Sequence, residues 1–105
     1  MAVRHLTDTD FEDFAKAPMA IVDFWATWCG PCQAFGPVFE KVADEMADIQ
    51  FAKYELTTSN QSMAQKFGIR SIPATIAFKN GEVAGVKIGL MDERMFNDWI
   101  KEVLS

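Results

Sequence analysis

Cys29 and Cys32 are the only two cysteines in the chain, and they are separated by Gly30 and Pro31. A ring that short removes little chain entropy when it closes, so a crosslink here adds little stability and a chemical role is the better reading. An apolar run from Met19 to Ala26 ends just before the pair, and apolar residues at helical spacing begin just after it. A thiol at such a junction sits at a helix N-terminus, where unpaired amides and the helix dipole favour its anion. Cys29 is therefore the expected nucleophile. Cys32 falls on the same side of the first turn but one step deeper, from where it can attack a mixed disulfide at Cys29 and release reduced substrate. It is the expected resolving thiol. Pro31 has its φ preset for the first helical turn and needs no amide proton there. Neither Gly30 nor Pro31 carries a charge or donor that would further stabilise the Cys29 thiolate, so the pair is expected to act as a reductant. Metal binding is the competing use of such a pair. A closed zinc site needs about four ligands, and the single histidine, His5, is far away in sequence, so no metal is expected.

Asp23 is the second group of chemical interest. It stands inside the apolar run, flanked by Ile21, Val22, Phe24 and Trp25, which predicts a buried carboxylate, and such groups seldom persist without a role or partner.

The elements that hold these groups follow from hydrophobic spacing. Met19 to Ala26 suits a strand covered on both faces. From Cys32 onward, Phe35, Val38, Phe39, Val42, Ala43 and Met46 recur every three or four residues, predicting a helix with one buried stripe and a kink at Pro37. Before them, Thr7-Asp8-Thr9-Asp10 offers a cap for a short helix through Phe11, Phe14 and Ala15, which Pro18 follows. After them come a strand over Ile49 to Leu56, a polar stretch, a short helix through Met63, Ala64 and Phe67, and strands over Ala74 to Phe78 and Glu82 to Ile88. Asn80-Gly81 between the last two predicts a tight antiparallel hairpin. Asp92 can cap a final helix with Met95, Phe96, Trp99, Ile100 and Val103 on one face. Alternating strands and helices, then a hairpin and a helix, predict a mixed α/β sheet covered on both faces.

Composition narrows the partners. The 105 residues suffice for one core, half of them are hydrophobic, and the formal net charge is -5. Nucleic acid and anionic membrane, which need clustered Lys and Arg, are not expected partners. No stretch approaches the ~20 apolar residues of a membrane span, and no secretory signal is visible, so a cytoplasmic protein is expected. His5 reads as a solvated or capping residue rather than a catalytic one. The triplet Asn60-Gln61-Ser62 matches a glycosylation pattern, which has no meaning in that compartment.

The segment Val22-Asp23-Phe24-Trp25-Ala26-Thr27-Trp28-Cys29-Gly30-Pro31-Cys32 resembles the active-site segment of the thioredoxin family. The likeness extends through Lys53, Phe67-Gly68-Ile69-Arg70-Ser71-Ile72-Pro73, Phe78-Lys79-Asn80-Gly81-Glu82 and Gly89 to the last helix. It implies the thioredoxin fold, with a central mixed five-stranded sheet and four flanking helices, as a single domain over residues 1–105. It implies a thiol-disulfide oxidoreductase that reduces protein disulfides and binds no cofactor beyond its own reversible Cys29–Cys32 disulfide. Electrons then come ultimately from NADPH through a thioredoxin reductase, and the partners of this monomer are that reductase and disulfide-containing target proteins. Residue by residue, Pro73 matches the cis-proline that faces the disulfide, and Ile72 the residue whose backbone pairs with an incoming peptide. Trp28, Ile72, Pro73 and Gly89 then form the docking surface, Asp23 is the buried acid that helps deprotonate Cys32, Lys53 is the lysine beside it, and Trp25 packs near the site. Gln33, Ala74 and Thr57 depart from the family's usual basic residue, threonine and acid, and residues 57–62 run one residue longer; these changes bear on partner choice and rate. Two rival readings are a binding module of this fold with idle thiols, and an oxidase or isomerase, whose motif more often carries His between the cysteines.

Overall fold

The computed structural model describes residues 3–105. Among these the chain forms β1 (Val3–Leu6), α1 (Phe11–Ala15), β2 (Met19–Trp25), α2 (Gly30–Glu45), β3 (Gln50–Glu55), α3 (Ser62–Lys66), β4 (Ala74–Lys79), β5 (Glu82–Ile88) and α4 (Glu93–Leu104). The strands make one sheet in the order β1-β3-β2-β4-β5. Strands β1 and β2 run parallel to β3, while β4 is antiparallel to β2 and β5 antiparallel to β4. The central strand β2 is buried from Ala20 to Phe24, as its nearly continuous apolar run, interrupted only by Asp23, requires. In β1 only Leu6 is buried and Arg4 and His5 are exposed, so this edge strand has no alternation to betray it.

Two apolar layers sandwich the sheet. One joins Phe11 and Phe14 of α1 and Ala64 of α3 to Val22, Phe24, Tyr54, Ile76 and Phe78. Phe11 is its hub, with ring centroids 5.6–5.9 Å from Phe24, Tyr54, Phe67 and Phe78, distances at which aromatic pairs attract. The other joins Phe35, Phe39 and Val42 of α2 and Phe96, Trp99 and Ile100 of α4 to Ile21, Phe51 and Ala77. Since side chains alternate along a strand, Asp23, two residues from Ile21, faces this second layer.

Local rules account for most boundaries. Asn80 and Gly81 have φ of 53° and 86°, the left-handed pair that a two-residue hairpin demands. Asp92 caps α4, its Oδ1 accepting from the Met95 amide at 2.8 Å. Helix α2 continues through Pro37 as one element. The cap expected for α1 differs: Asp10 precedes the helix at φ -109° and ψ 0°, with no side-chain bond into it. Outside the extended region that capping residues favour, its carboxylate turns back to accept from the Thr7 amide at 2.8 Å. The acid of this segment that caps a helix is Asp8, and it caps α3: its carboxylate accepts from the Met63 amide at 3.0 Å, the Ser62 amide at 3.2 Å and the Tyr54 hydroxyl at 2.5 Å. That constellation holds the Asp8 carboxyl below its usual range, while burial and the bond to Asp8 push the Tyr54 phenol up to about 12. Asn60 completes the latch, accepting from the Asp8 amide at 2.8 Å and donating to the Glu55 carbonyl at 2.9 Å.

Candidate active site

Cys29 is the residue that precedes α2, in extended conformation, and its Sγ accepts from the Cys32 amide at 3.2 Å. One of the orphan amides of the helix start thus points at the sulfur, as thiolate stabilisation requires. Cys29 and Cys32 are disulfide-bonded, with Cα atoms 5.3 Å apart. Cys29 is 6% exposed and Cys32 2%, so Cys29 is the more exposed of the two residues. Its Sγ lies 3.8 Å from the Ile72 carbonyl oxygen. The Ile72–Pro73 peptide is cis, and the Pro73 carbonyl accepts from the Gly89 amide at 2.8 Å. Gly89 has φ +103°, which favours glycine. Beside Cys29, Trp28 is 76% exposed and lines a groove of about 430 Å³ with Thr27, Glu55, Leu56, Thr57, Thr58 and Gln61. Trp28 and Ile72 thus stand beside Cys29, while Pro73, itself buried, follows Ile72 and is bonded to Gly89.

Behind Cys32 lies a cavity of about 380 Å³ lined by Cys32, Trp25, Gln33, Gly36, Pro37, Glu40 and Lys53. Asp23 is fully buried on the same face of the sheet, in register with Lys53 on β3 and Thr75 on β4. Burial pushes its carboxyl up to about 7, and the Lys53 ammonium offsets only part of that rise. The Lys53 head is shared: Nζ stands 3.8 Å from Glu40 Oε2 and 4.8 Å from the centre of the Trp25 ring. Both carboxylate oxygens of Asp23 lack a hydrogen-bond partner among the described residues, as do Trp25 Nε1 and Thr75 Oγ1. Among the same residues no group of three or more His, Cys, Asp or Glu is placed to hold a metal ion.

The thioredoxin family profile matches residues 2–102. The chain belongs to the thioredoxin family. It is 36% identical over 103 residues to the thioredoxin of Rickettsia typhi, covering 95% of this chain and 97% of that one. It is 37% identical over 105 residues to the thioredoxin of Staphylococcus saprophyticus, covering 99% and 100%. The crystal structure of the thioredoxin of Malassezia sympodialis superposes with a TM-score of 0.86 at 32% identity, over 98% of this chain and 91% of that one. The fold is the thioredoxin fold, and the activity is that of a protein-disulfide oxidoreductase working by dithiol/disulfide exchange through Cys29 and Cys32.

Against this thioredoxin frame, the departures take definite places. Gln33 donates from Nε2 to the Thr27 carbonyl at 3.1 Å, tying α2 to the segment that carries Trp28. Thr57 lines the Trp28 groove, and Ala74 is fully buried in register with Phe24 and Ile88. Sequence reasoning missed Glu40, whose spacing from Cys32 through Gly36 follows one helix face and was the available signal. It also missed Thr75, a lone hydroxyl in an apolar strand, which gains meaning only from the β2–β4 register.

Proposed function

We propose that this chain reduces disulfides in other proteins by a two-thiol relay in which Cys29 attacks and Cys32 resolves. The observation that carries this order is the amide of Cys32 donating to the Cys29 sulfur at the start of α2. In the dithiol state, the Cys29 thiolate attacks one sulfur of a target disulfide. A mixed disulfide forms and the other target sulfur leaves as a thiolate. Cys32 gives its proton to the Asp23 carboxylate, attacks Cys29 Sγ, closes the Cys29–Cys32 disulfide and expels the second target thiolate. Lys53 moderates the basicity of Asp23, and Trp28, Ile72, Pro73 and Gly89 seat the target chain.

The same reading makes the chain one domain over residues 1–105, a cytoplasmic monomer in electron transport that receives electrons from NADPH through a thioredoxin reductase. The balance of -5 in charge supports protein partners over nucleic acid, and no helix is long and apolar enough to cross a membrane among the described residues. Non-reducing gels of single-cysteine variants test the order. Cys32→Ser should accumulate a mixed disulfide with insulin while Cys29→Ser accumulates none; trapping by Cys29→Ser instead reverses the two roles. Insulin reduction driven by NADPH and a bacterial thioredoxin reductase tests the electron source, and turnover with dithiothreitol alone overturns it.

A further inference from the structure

Asp23 and Thr75 are direct partners across the antiparallel register of β2 and β4, and both are fully buried. Such partners present their side chains on the same face, with Cβ atoms roughly 5 Å apart. Neither the Thr75 hydroxyl nor either Asp23 oxygen has a hydrogen-bond partner among the described residues. An unpaired buried hydroxyl is unfavourable, and the rest of β4 as far as Phe78 is apolar: Ala74, Ile76 and Ala77 are likewise buried. The one polar side chain buried in this strand therefore stands opposite the one carboxylate buried in the sheet.

Trp25, two residues along β2 on the same face, also carries a buried indole N–H without a partner among the described residues, but Thr75 is the donor directly opposite Asp23 on β4. From β3, Lys53 faces Asp23, but its ammonium is engaged with Glu40 and the Trp25 ring. From α2 come Cys32 and Glu40, which line the cavity behind the disulfide. Helix α4 contributes the apolar Phe96, Trp99 and Ile100 to this layer. The register row continues to Lys87 on β5, beyond Thr75, and to His5 on β1, beyond Lys53, both exposed.

We propose that Thr75 is a positioning residue for the reaction: its hydroxyl donates to the Asp23 carboxylate, directly after rotation about χ1 or through one shared water, and sets how readily Asp23 takes the proton of Cys32. This rests on the reading of Asp23 as the base for Cys32. The proton balance is unchanged by Thr75, which stays neutral throughout. One proton passes from the Cys32 thiol to the Asp23 carboxylate, and the freed thiolate attacks Cys29 Sγ as before. A donor bonded to the carboxylate favours its charged form. The hydroxyl thereby works against burial and keeps part of the Asp23 population ionised near neutrality.

Thr75→Val removes the hydroxyl while matching the side chain in shape, and Thr75→Ser keeps it. The Asp23 carboxyl is followed by ¹³C NMR between pH 4 and 10 in the oxidised protein, where neither thiol titrates. The resolving step is followed by single-turnover reduction of insulin over the same range. In Thr75→Val the Asp23 midpoint should rise by about one pH unit, the rate profile of resolution should move up with it, and Thr75→Ser should behave as the parent. A midpoint unchanged in Thr75→Val overturns the hydrogen bond. So does a midpoint displaced equally in Thr75→Ser, which marks a packing effect. A midpoint that rises while the rate profile stays in place overturns Asp23 as the base, and with it the control of proton transfer assigned to Thr75, while leaving the bond itself intact.

Discussion

Replacing Asp23 with alanine should make the protein more stable at neutral pH and less able to resolve mixed disulfides. The carboxyl titrates near 3.8 without its environment and at about 7 inside the fold. Below about pH 3.8 it is protonated in both the folded and the unfolded chain and costs nothing through ionisation. Between there and pH 7 the unfolded chain gives up the proton while the folded chain keeps it, so stability falls as pH rises; above 7 both are ionised and the cost is constant. A shift of about three units at about 1.4 kcal/mol each sets the cost at roughly 4 kcal/mol. Removing the side chain also forfeits packing, on the order of 1 kcal/mol, and the Lys53 ammonium retains Glu40 at 3.8 Å. The net gain at pH 8 should then be roughly 3 kcal/mol, or a urea midpoint higher by about 1–2 M. Urea melts of oxidised parent and Asp23→Ala at intervals from pH 4 to 9 measure the difference directly. The gap should open across the acid range and level off above neutrality. A gap that does not vary with pH, or an Asp23→Ala protein less stable than its parent at pH 8, refutes the reasoning.

Gln33→Lys places a positive charge beside the site and should accelerate reduction of an acidic protein substrate by a few-fold at low ionic strength, with the gain lost at high salt; stopped-flow rates at two salt concentrations read it. Tyr54→Phe removes the hydroxyl that donates to Asp8 and should cost about 1–2 kcal/mol in a urea melt at pH 7. Gly85→Ala would put a methyl group 2.6 Å from Val103 Cγ1 on α4, and the overpacking should destabilise by about 1–3 kcal/mol without altering the insulin-reduction rate of the folded fraction.

The parts of the molecule governed by near neighbours in sequence were legible there. The nearly continuous apolar run of β2, the cysteine at the start of α2, the Asn80-Gly81 hairpin and the Asp92 cap each declare themselves within a few residues, and the structure has them all. The features governed by distant pairing were not. Leu6 alone could not announce β1, because an edge strand with two exposed residues lacks alternation. Asp8 reads as a cap for the helix that follows it, yet the amides it satisfies belong to Ser62 and Met63. Thr75 is one polar residue in an apolar strand until the register sets it against Asp23. The bulge at Ala84, which has no partner between Gly85 opposite Ala77 and Val83 opposite Phe78, is likewise invisible without the pairing.

The latch of Asp8, Tyr54 and Asn60 ties the start of the chain to the loop that flanks Trp28, since Asp8 follows β1 by two residues and Thr57 and Thr58 line the Trp28 groove. Edge strands and short helices ordinarily open independently, each at a small free energy of its own. Here the peeling of β1 would release the carboxylate that caps α3 and the amide that holds Asn60, so the two segments must open together as one cooperative unit. Amide hydrogens at Ser62 and Met63 should then exchange with solvent at the same rate as the slowest of β1, and Asp8→Ala should split that shared rate in two. The wall of the groove beside the reactive sulfur is thus as rigid as the sheet edge to which it is tied allows.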